Sequence, residues 1–309
     1  MKWSFSGTKV FKQCPRKWYY QYVLADARSK DVIRQEAARL KRLSSVQAWR
    51  GKLVDTVIST YAVPRLNRKE EIDTDAMSKY ALKLGDDQIA YARNPPLDNG
   101  KSNAAKCYLF DIEYGRELDS ERLERAKTEV TQALRNFAGS NFVKEFRESG
   151  SYLISQRMIQ FKQDGTSIRC TPDLIAFYSL LPPTLVDWKV QASDYSEHWQ
   201  QLAVYAYALA HINPHSDFPK EWAGAFKDPT KIRLVEYQLL QNKERTYTID
   251  QTDFVDIEDF IYTTSNKMYR MLRDRDYPVI RPQDLPATTR PSLCLRCPFR
   301  KICWEADAA

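Results

Sequence analysis

Long apolar runs are what this 309-residue chain most plainly lacks. No eighteen-residue stretch is apolar enough to suggest a membrane span, which excludes a helical channel or carrier. The opening "MKWSFSGTKVFKQC" has no continuous apolar core of a secretory signal, so a cytoplasmic protein without a membrane partner is expected. Glycine is scarce, nine in all, and there is neither an internal repeat nor a low-complexity run, which excludes fibrous and tract-like architectures. Six cysteines are too sparse for a disulfide scaffold, and in a cytosolic chain a thiol cluster more often binds metal. What is present, 43% hydrophobic and 28% charged residues, is the balance of a soluble globular protein of one or two domains. The net charge of +7 is unevenly spread: residues 1–60 hold thirteen Lys and Arg against four Asp and Glu, a local +9. That basic arm on a nearly neutral body suggests a footprint for a polyanion, nucleic acid first, beside the plainer reading of a solvated basic surface.

Along the chain, a helix capped near Ser6 leads to Cys14 and the aromatic block Trp18, Tyr19, Tyr20 and Tyr22; a second helix is expected over 31–63. The charge-rich stretch 64–150 is helical in pattern, with Leu123, Ala126, Val130, Leu134 and Phe137 drawing one apolar face after a cap at Asp119 or Ser120. It reads as a helical insertion or small domain. From "SYLISQRM" the period changes to two, and turns at Asp164-Gly165 and Leu181-Pro182-Pro183 give three consecutive antiparallel strands. Helix follows in "SEHWQQLAVYAYALAHI", then strands in "KIRLVEYQLL" and "RTYTID", then a long helix over 253–272. The Pro-rich end is expected to be irregular and held by something other than secondary structure.

Two residues apart on one strand, Asp187 and Lys189 project to the same side, and Asp173 on the preceding strand can face them. Hydrolysing a phosphodiester needs an activated water and relief of growing negative charge. A hard divalent ion held by carboxylates supplies both, and a lysine can orient the nucleophile or stabilise the transition state. The carbonyl of Trp188 is a candidate further ligand. Separately, "CLRCPFRKIC" places Cys294, Cys297 and Cys303 within reach of one metal centre, with Cys14, Cys107 and Cys170 as candidates for a fourth thiolate. Four thiolates suit Zn²⁺ or a 4Fe-4S cluster alike.

Pro172-Asp173 followed by Asp187-Trp188-Lys189 resembles the signature of PD-(D/E)xK nucleases, specifically the RecB-like branch, and "QLAVY" resembles that branch's Gln-x-x-x-Tyr helix. The resemblance implies an α/β fold: a restriction-endonuclease-like core with a central mixed sheet flanked by helices. It implies that Asp173 and Asp187 hold the catalytic metals, that Lys189 assists the nucleophile, and that Gln201 and Tyr205, at i and i+4, support the site or position DNA. Where the branch carries a histidine ligand in a G-x-x-x-H helix, "RGKLVDTVIS" presents Asp55, expected to serve as a further ligand for Mg²⁺ or Mn²⁺. Gln156 stands where an acidic residue is common and is assigned no catalytic role.

The block around Cys14 resembles the N-terminal element of RecB-like nucleases that contain a 4Fe-4S cluster, such as CRISPR-associated exonucleases and the nuclease domains of AddB helicase-nucleases. This implies Cys14 as the fourth ligand and a cluster that clasps the two ends of the chain, structural rather than redox. It also implies that Arg16, Lys17, Arg296, Arg300 and Lys301 meet around the cluster to attract phosphates; Trp18, Tyr19 and Tyr20 can stack on unpaired bases, although at least half of these aromatics are expected to pack against the cluster. The expected division is 1–63, a helical element with Cys14 and the basic arm; 64–150, the insertion; 151–275, the nuclease core; and 276–309, the cysteine segment, closed into one unit with 1–63. The implied activity is a single-strand-preferring exonuclease with possible endonuclease action. Any helicase or CRISPR or repair partner would be a separate chain. The rival is an inactive nucleic-acid-binding module that keeps fold and cluster.

Overall fold

Short polar side chains set where the helices begin. Ser4, Asp31, Ser45, Asp73, Asp119 and Ser140 each accept a first-turn N–H, satisfying donors that have no partner inside a helix. The computed structural model describes residues 1–95, 104–179, 181–190, 195–220, 228–273, 275 and 277–307. Residues 96–103 of the expected insertion, and 180, 191–194, 221–227 and 274 of the expected core, lie outside the described residues. Elements follow in the order β1 (Lys2–Trp3), α1 (Phe5–Gln13), α2 (Pro15–Trp18), α3 (Val32–Leu40), α4 (Val46–Val57), α5 (Val63–Asn67), α6 (Thr74–Arg93), α7 (Phe110–Glu113), α8 (Ser120–Ala138) and α9 (Asn141–Glu148). Then come β2 (Tyr152–Ser155), β3 (Ile159–Gln163), β4 (Thr166–Cys170), β5 (Leu174–Phe177), β6 (Thr184–Lys189), α10 (Tyr195–His211), β7 (Arg233–Gln238), β8 (Lys243–Tyr247), α11 (Gln251–Leu272), α12 (Pro291–Leu295) and α13 (Arg300–Asp307). None of the described helices is long and apolar enough to cross a membrane.

The chain divides into two units, one of residues 1–43, 162–169 and 258–309, the other of 44–161 and 170–257. In the second, five strands form a mixed sheet in the order β2-β5-β6-β7-β8, parallel only between β6 and β7. A parallel pair needs a crossover, and α10 supplies it, packing on both strands. Val186, Trp188, Val235 and Tyr237 of the sheet join Trp49, Leu53, Val54 and Val57 of α4 and the apolar stripe of α8 in one buried cluster. α6 closes on α4 at Gly85, where an added Cβ would lie 3.1 Å from Leu53 Cδ2. Buried Trp49 also donates its indole N–H to Gln88 of α6 at 2.7 Å.

In the first unit the two ends of the chain are interlocked. Tyr19 donates to the carbonyl of Ile280 at 2.8 Å, Tyr20 to that of Ile302 at 3.2 Å, and Arg16 Nε to that of Leu285 at 3.1 Å. Tyr20 also stacks on Phe299. Trp18, Tyr19 and Tyr20 are at most 1% exposed, so this block is core and does not present rings for base stacking.

Three local expectations are corrected. The helix over 31–63 is broken: Ser44 exchanges backbone hydrogen bonds with Tyr108 and Phe110, Ser45 caps a new helix, and the last turn widens to a π-helix at Ile58–Ala62. The three consecutive strands are five, because β2 pairs with β5 and the β3–β4 hairpin between them leaves for a separate sheet with β1. Its turn has Asp164 and Gly165 both at positive φ, the primed geometry that suits a two-residue hairpin loop. The cysteine segment is not wholly irregular, since α12 and α13 lie within it.

Candidate active site

β6 is the central strand of the five, buried on both faces from Thr184 to Trp188, and it carries a carboxylate into that interior. Asp187 is 1% exposed. Its Oδ2 forms an ion pair with Lys189 Nζ at 2.5 Å. Its Oδ1 accepts from Gln201 Nε2 at 2.9 Å. The same amide reaches Tyr205 Oη at 2.6 Å, so the i, i+4 pair on α10 acts as one unit above the strand.

Asp173 immediately precedes β5, and its Oδ2 accepts the backbone N–H of Trp188 at 3.0 Å. Asp55 enters from α4, its Oδ1 accepting the Trp188 indole N–H at 2.5 Å. Trp188 thus holds both carboxylates through two donors.

Gln156 completes the group. Its single Nε2 donates to Asp55 Oδ2 at 2.9 Å and to Asp173 Oδ1 at 3.0 Å. Its backbone N–H donates to the Asp173 carbonyl, and its φ of 51° turns the chain out of β2. A non-glycine residue in that region costs energy and is worth attention. The bend that gives Gln156 these contacts is not visible in the sequence, where its one signal is its place at a position in which an acidic residue is common. Nor does the sequence signal His198. It is buried on α10 three residues before Gln201, with Nδ1 4.0 Å from Asp187 Oδ2.

Three carboxylates and one ammonium in a mostly buried site perturb one another. Burial pushes Asp55 up to about 6, against the Trp188 hydrogen bond and with help from Asp187. Burial also pushes Asp173 well above the usual carboxylate range, with Asp187 and then Asp55 adding to it. For Lys189 burial acts downward, yet Asp187, Asp173 and Asp55 outweigh it and hold the ammonium above its ordinary value. Tyr205 is kept protonated by burial and by Asp187. A surplus of buried carboxylate over cation is a charge deficit that a hard divalent ion would relieve. One amide nitrogen approached by oxygens of both Asp55 and Asp173 marks a point that favours positive charge. Among the described residues, however, no three His, Cys, Asp or Glu side chains are drawn to direct metal-ligand spacing.

The remaining expected residues belong to the first unit. Cys14, Cys294, Cys297 and Cys303 line one cavity with Lys17, Arg296 and Arg300. Cys14 caps α2, its Sγ accepting the Lys17 N–H at 3.3 Å. Arg16 Nη1 lies 3.8 Å from Cys303 Sγ, so this arginine faces the thiols and the backbone of 285 rather than open solvent. Burial pushes the Cys297 thiol up to about 11, with Cys14 and Cys303 nearby adding to the effect. Arg296 and Lys301 are exposed, and Arg300 donates to the Leu295 carbonyl. The other candidates are elsewhere: Cys107 is buried among the apolar residues of the second unit, and Cys170 is buried with its thiol pushed up.

Comparison with curated proteins gave no match. The sequence matches the family profile described as the PD-(D/E)XK nuclease superfamily over residues 2–304. The mixed sheet and its flanking helices agree with that profile, and the chain belongs to the PD-(D/E)XK nuclease superfamily.

Proposed function

We propose that the protein is a Mg²⁺- or Mn²⁺-dependent deoxyribonuclease of the RecB-like branch, acting on single-stranded DNA from its ends with some endonuclease capacity. The observation that carries this reading is the meeting of Asp55, Asp173, Asp187 and Lys189 around Trp188. Nucleases of this superfamily typically use divalent metals such as Mg²⁺. Held by the three aspartates, such an ion would supply Lewis acidity and neutralise charge on the phosphate. The protein's own groups do the rest. Lys189, kept protonated by its acidic neighbours, orients the attacking water and donates to the phosphate oxygen as its charge grows. Gln201 and Tyr205 hold Asp187 in its rotamer, and the two N–H groups of Trp188 set the separation of Asp55 and Asp173.

The four cysteines are assigned to a 4Fe-4S cluster, supported by their common cavity in the unit that contains both ends of the chain. In a chain-entropy account, closure between residues 14 and 294 constrains the unfolded state strongly. Arg296 and Lys301, exposed beside that cavity, are assigned to phosphate attraction, and a helicase or repair protein is the expected class of partner. One feature favours the rival, a binding module that no longer cuts: the Gln156 amide lies where an acidic ligand is common in this branch.

End-labelled single-stranded and duplex DNA, incubated with Mg²⁺, Mn²⁺ or chelator, separates the two. Cleavage that requires metal and falls about a hundredfold or more in Lys189→Ala is expected. No cleavage with any metal, or normal cleavage by Lys189→Ala, refutes the enzyme reading. An anaerobic preparation that is colourless and holds stoichiometric zinc refutes the iron-sulfur assignment.

A further inference from the structure

Three of the four sulfurs that share the cysteine cavity receive an N–H. Cys14 Sγ accepts from the backbone of Lys17 at 3.3 Å, Cys297 Sγ from the backbone of Phe299, and Cys303 Sγ from Arg16 Nη1 at 3.8 Å. A neutral thiol is a weak acceptor, whereas a thiolate attracts donors, so these N–H groups form the surroundings that a thiolate centre needs. The two backbone donors carry no net charge; Arg16 brings one. Its place is fixed from two sides: its backbone N–H donates to the Pro286 carbonyl and its Nε to that of Leu285, each at 3.1 Å. With Nε committed there, the end of the guanidinium reaches Cys303, 287 residues further along the chain. Because Arg16 also follows Cys14 closely, one side chain links the segments that carry the first and the last of the four cysteines.

We infer that Arg16 is a positioning residue of the four-cysteine metal centre: its guanidinium offsets thiolate charge at Cys303 and holds that sulfur toward the other three. The inference rests on the metal-centre reading above, though not on which metal is bound. Four thiolates around Zn²⁺, or around the dication core of an oxidised 4Fe-4S cluster, leave a net charge of about −2 in either case. Burial opposes such charge, as the raised Cys297 thiol shows, and a cation with a directed donor offsets that opposition. Lys17, Arg296 and Arg300 line the cavity as well. Arg296, however, is exposed, where solvent screens it, and Arg300 turns Nη1 to the Leu295 carbonyl. Arg16 is half-buried and hydrogen-bonded to a sulfur. This role takes the place of the phosphate contact that its basic neighbourhood suggests.

The test uses the full chain purified without oxygen, with its iron, sulfide and zinc content measured first. Metal release into excess EDTA is followed by the visible absorbance of a cluster or, in a colourless preparation, by zinc transferred to a chromogenic chelator. Arg16→Met keeps an apolar stem without charge or donor; it is compared with Arg16→Lys and with the exposed control Lys30→Gln. Thermal melts confirm folding, and Arg16→Lys carries the comparison should Arg16→Met not fold. Release is expected to be about tenfold faster or more in Arg16→Met, the usual scale for a partner that supports metal ligands. It is expected to be intermediate in Arg16→Lys and unchanged in Lys30→Gln. The midpoint potential of a cluster in Arg16→Met is expected to fall, because a cation beside a sulfur favours the reduced, more negative state. A residue that only ties position 16 to 285 would leave that potential unmoved. An unchanged release rate in the Arg16 variants, an equal rise in Lys30→Gln, or an unmoved potential overturns the inference. A wild type loaded with zinc refutes the iron-sulfur reading alone, and the zinc release rates then decide on Arg16. A wild type that holds neither metal refutes both.

Discussion

Asp55→Asn is expected to make the metal-free protein more stable at pH 8, and the size of the gain follows from the burial of that carboxylate. In the folded protein Asp55 titrates at about 6 rather than at its ordinary 3.8. The folded state therefore binds the proton more tightly than the unfolded state, and stability falls as pH rises from about 4 to above 6. At about 1.36 kcal/mol per pH unit, the full cost of ionising Asp55 in place is about 3 kcal/mol. About half of it has accrued by pH 5, so the wild type loses about 1.4 kcal/mol between pH 5 and pH 8 from this group alone. Asp173 adds in the same direction. An asparagine keeps the acceptor for the Trp188 indole but forces Gln156 to choose between partners, which returns about 1 kcal/mol. A net gain of about 2 kcal/mol at pH 8 remains, shrinking toward zero by pH 5. Urea unfolding in EDTA at the two pH values measures it. Saturating Mg²⁺ at a hundred times its Kd stabilises the wild type by about 2.7 kcal/mol, and Asp55→Asn is expected to lose most of that response. If the variant is less stable than the wild type at pH 8 in EDTA, the account of a strained, cation-seeking carboxylate is wrong.

Gln156→Glu places a third acid against Asp55 and Asp173. Its melting temperature in EDTA is expected to drop, while the Mg²⁺ concentration needed to restore it falls about tenfold, as added ligand charge predicts; an unchanged Mg²⁺ midpoint counts against Gln156 as part of the site. Cys14→Ala and Cys297→Ala are expected to lose the visible absorbance of an anaerobically purified cluster to the same extent, whereas Cys107→Ala retains it; retention by Cys14→Ala would exclude Cys14 as a ligand. Gly85→Ala adds a methyl 3.1 Å from Leu53 and 3.4 Å from Trp49. Overpacking there outweighs the gain in helix propensity, giving about 1 kcal/mol of destabilisation by urea denaturation; a more stable variant would show that α4 yields.

Local periodicity explains why some of the site could be read early. Asp187 and Lys189 share a side because strands alternate, and Gln201 with Tyr205 share a face because helices repeat near four. Each is a property of adjacent residues. Gln156 carries no such pattern: its part depends on a left-handed backbone turn and on two aspartates, one of them a hundred residues away. The break at Ser44 was invisible for the same reason, since its hydrogen-bond partners are Tyr108 and Phe110. The block at Trp18, Tyr19 and Tyr20 leaves two readings open. Aromatic composition suits base stacking and core packing equally, and only the far end of the chain, through Ile280, Phe299 and Ile302, decides which.

The union of residues 1–43 with 258–309 in one unit imposes an order on biosynthesis. The other unit has its whole complement of residues once 257 has left the ribosome. The earliest segment made must wait for the latest. From Tyr20 to Ile302 is 282 residues, which at about 5–20 residues per second is about 14–56 s, long beside the about 1 s or less in which many small domains fold. During that wait, the side chains of Tyr19 and Tyr20 lack their partners Ile280, Phe299 and Ile302. A nascent chain stalled near residue 257 is therefore the form in which this protein is most exposed to chaperones and to aggregation.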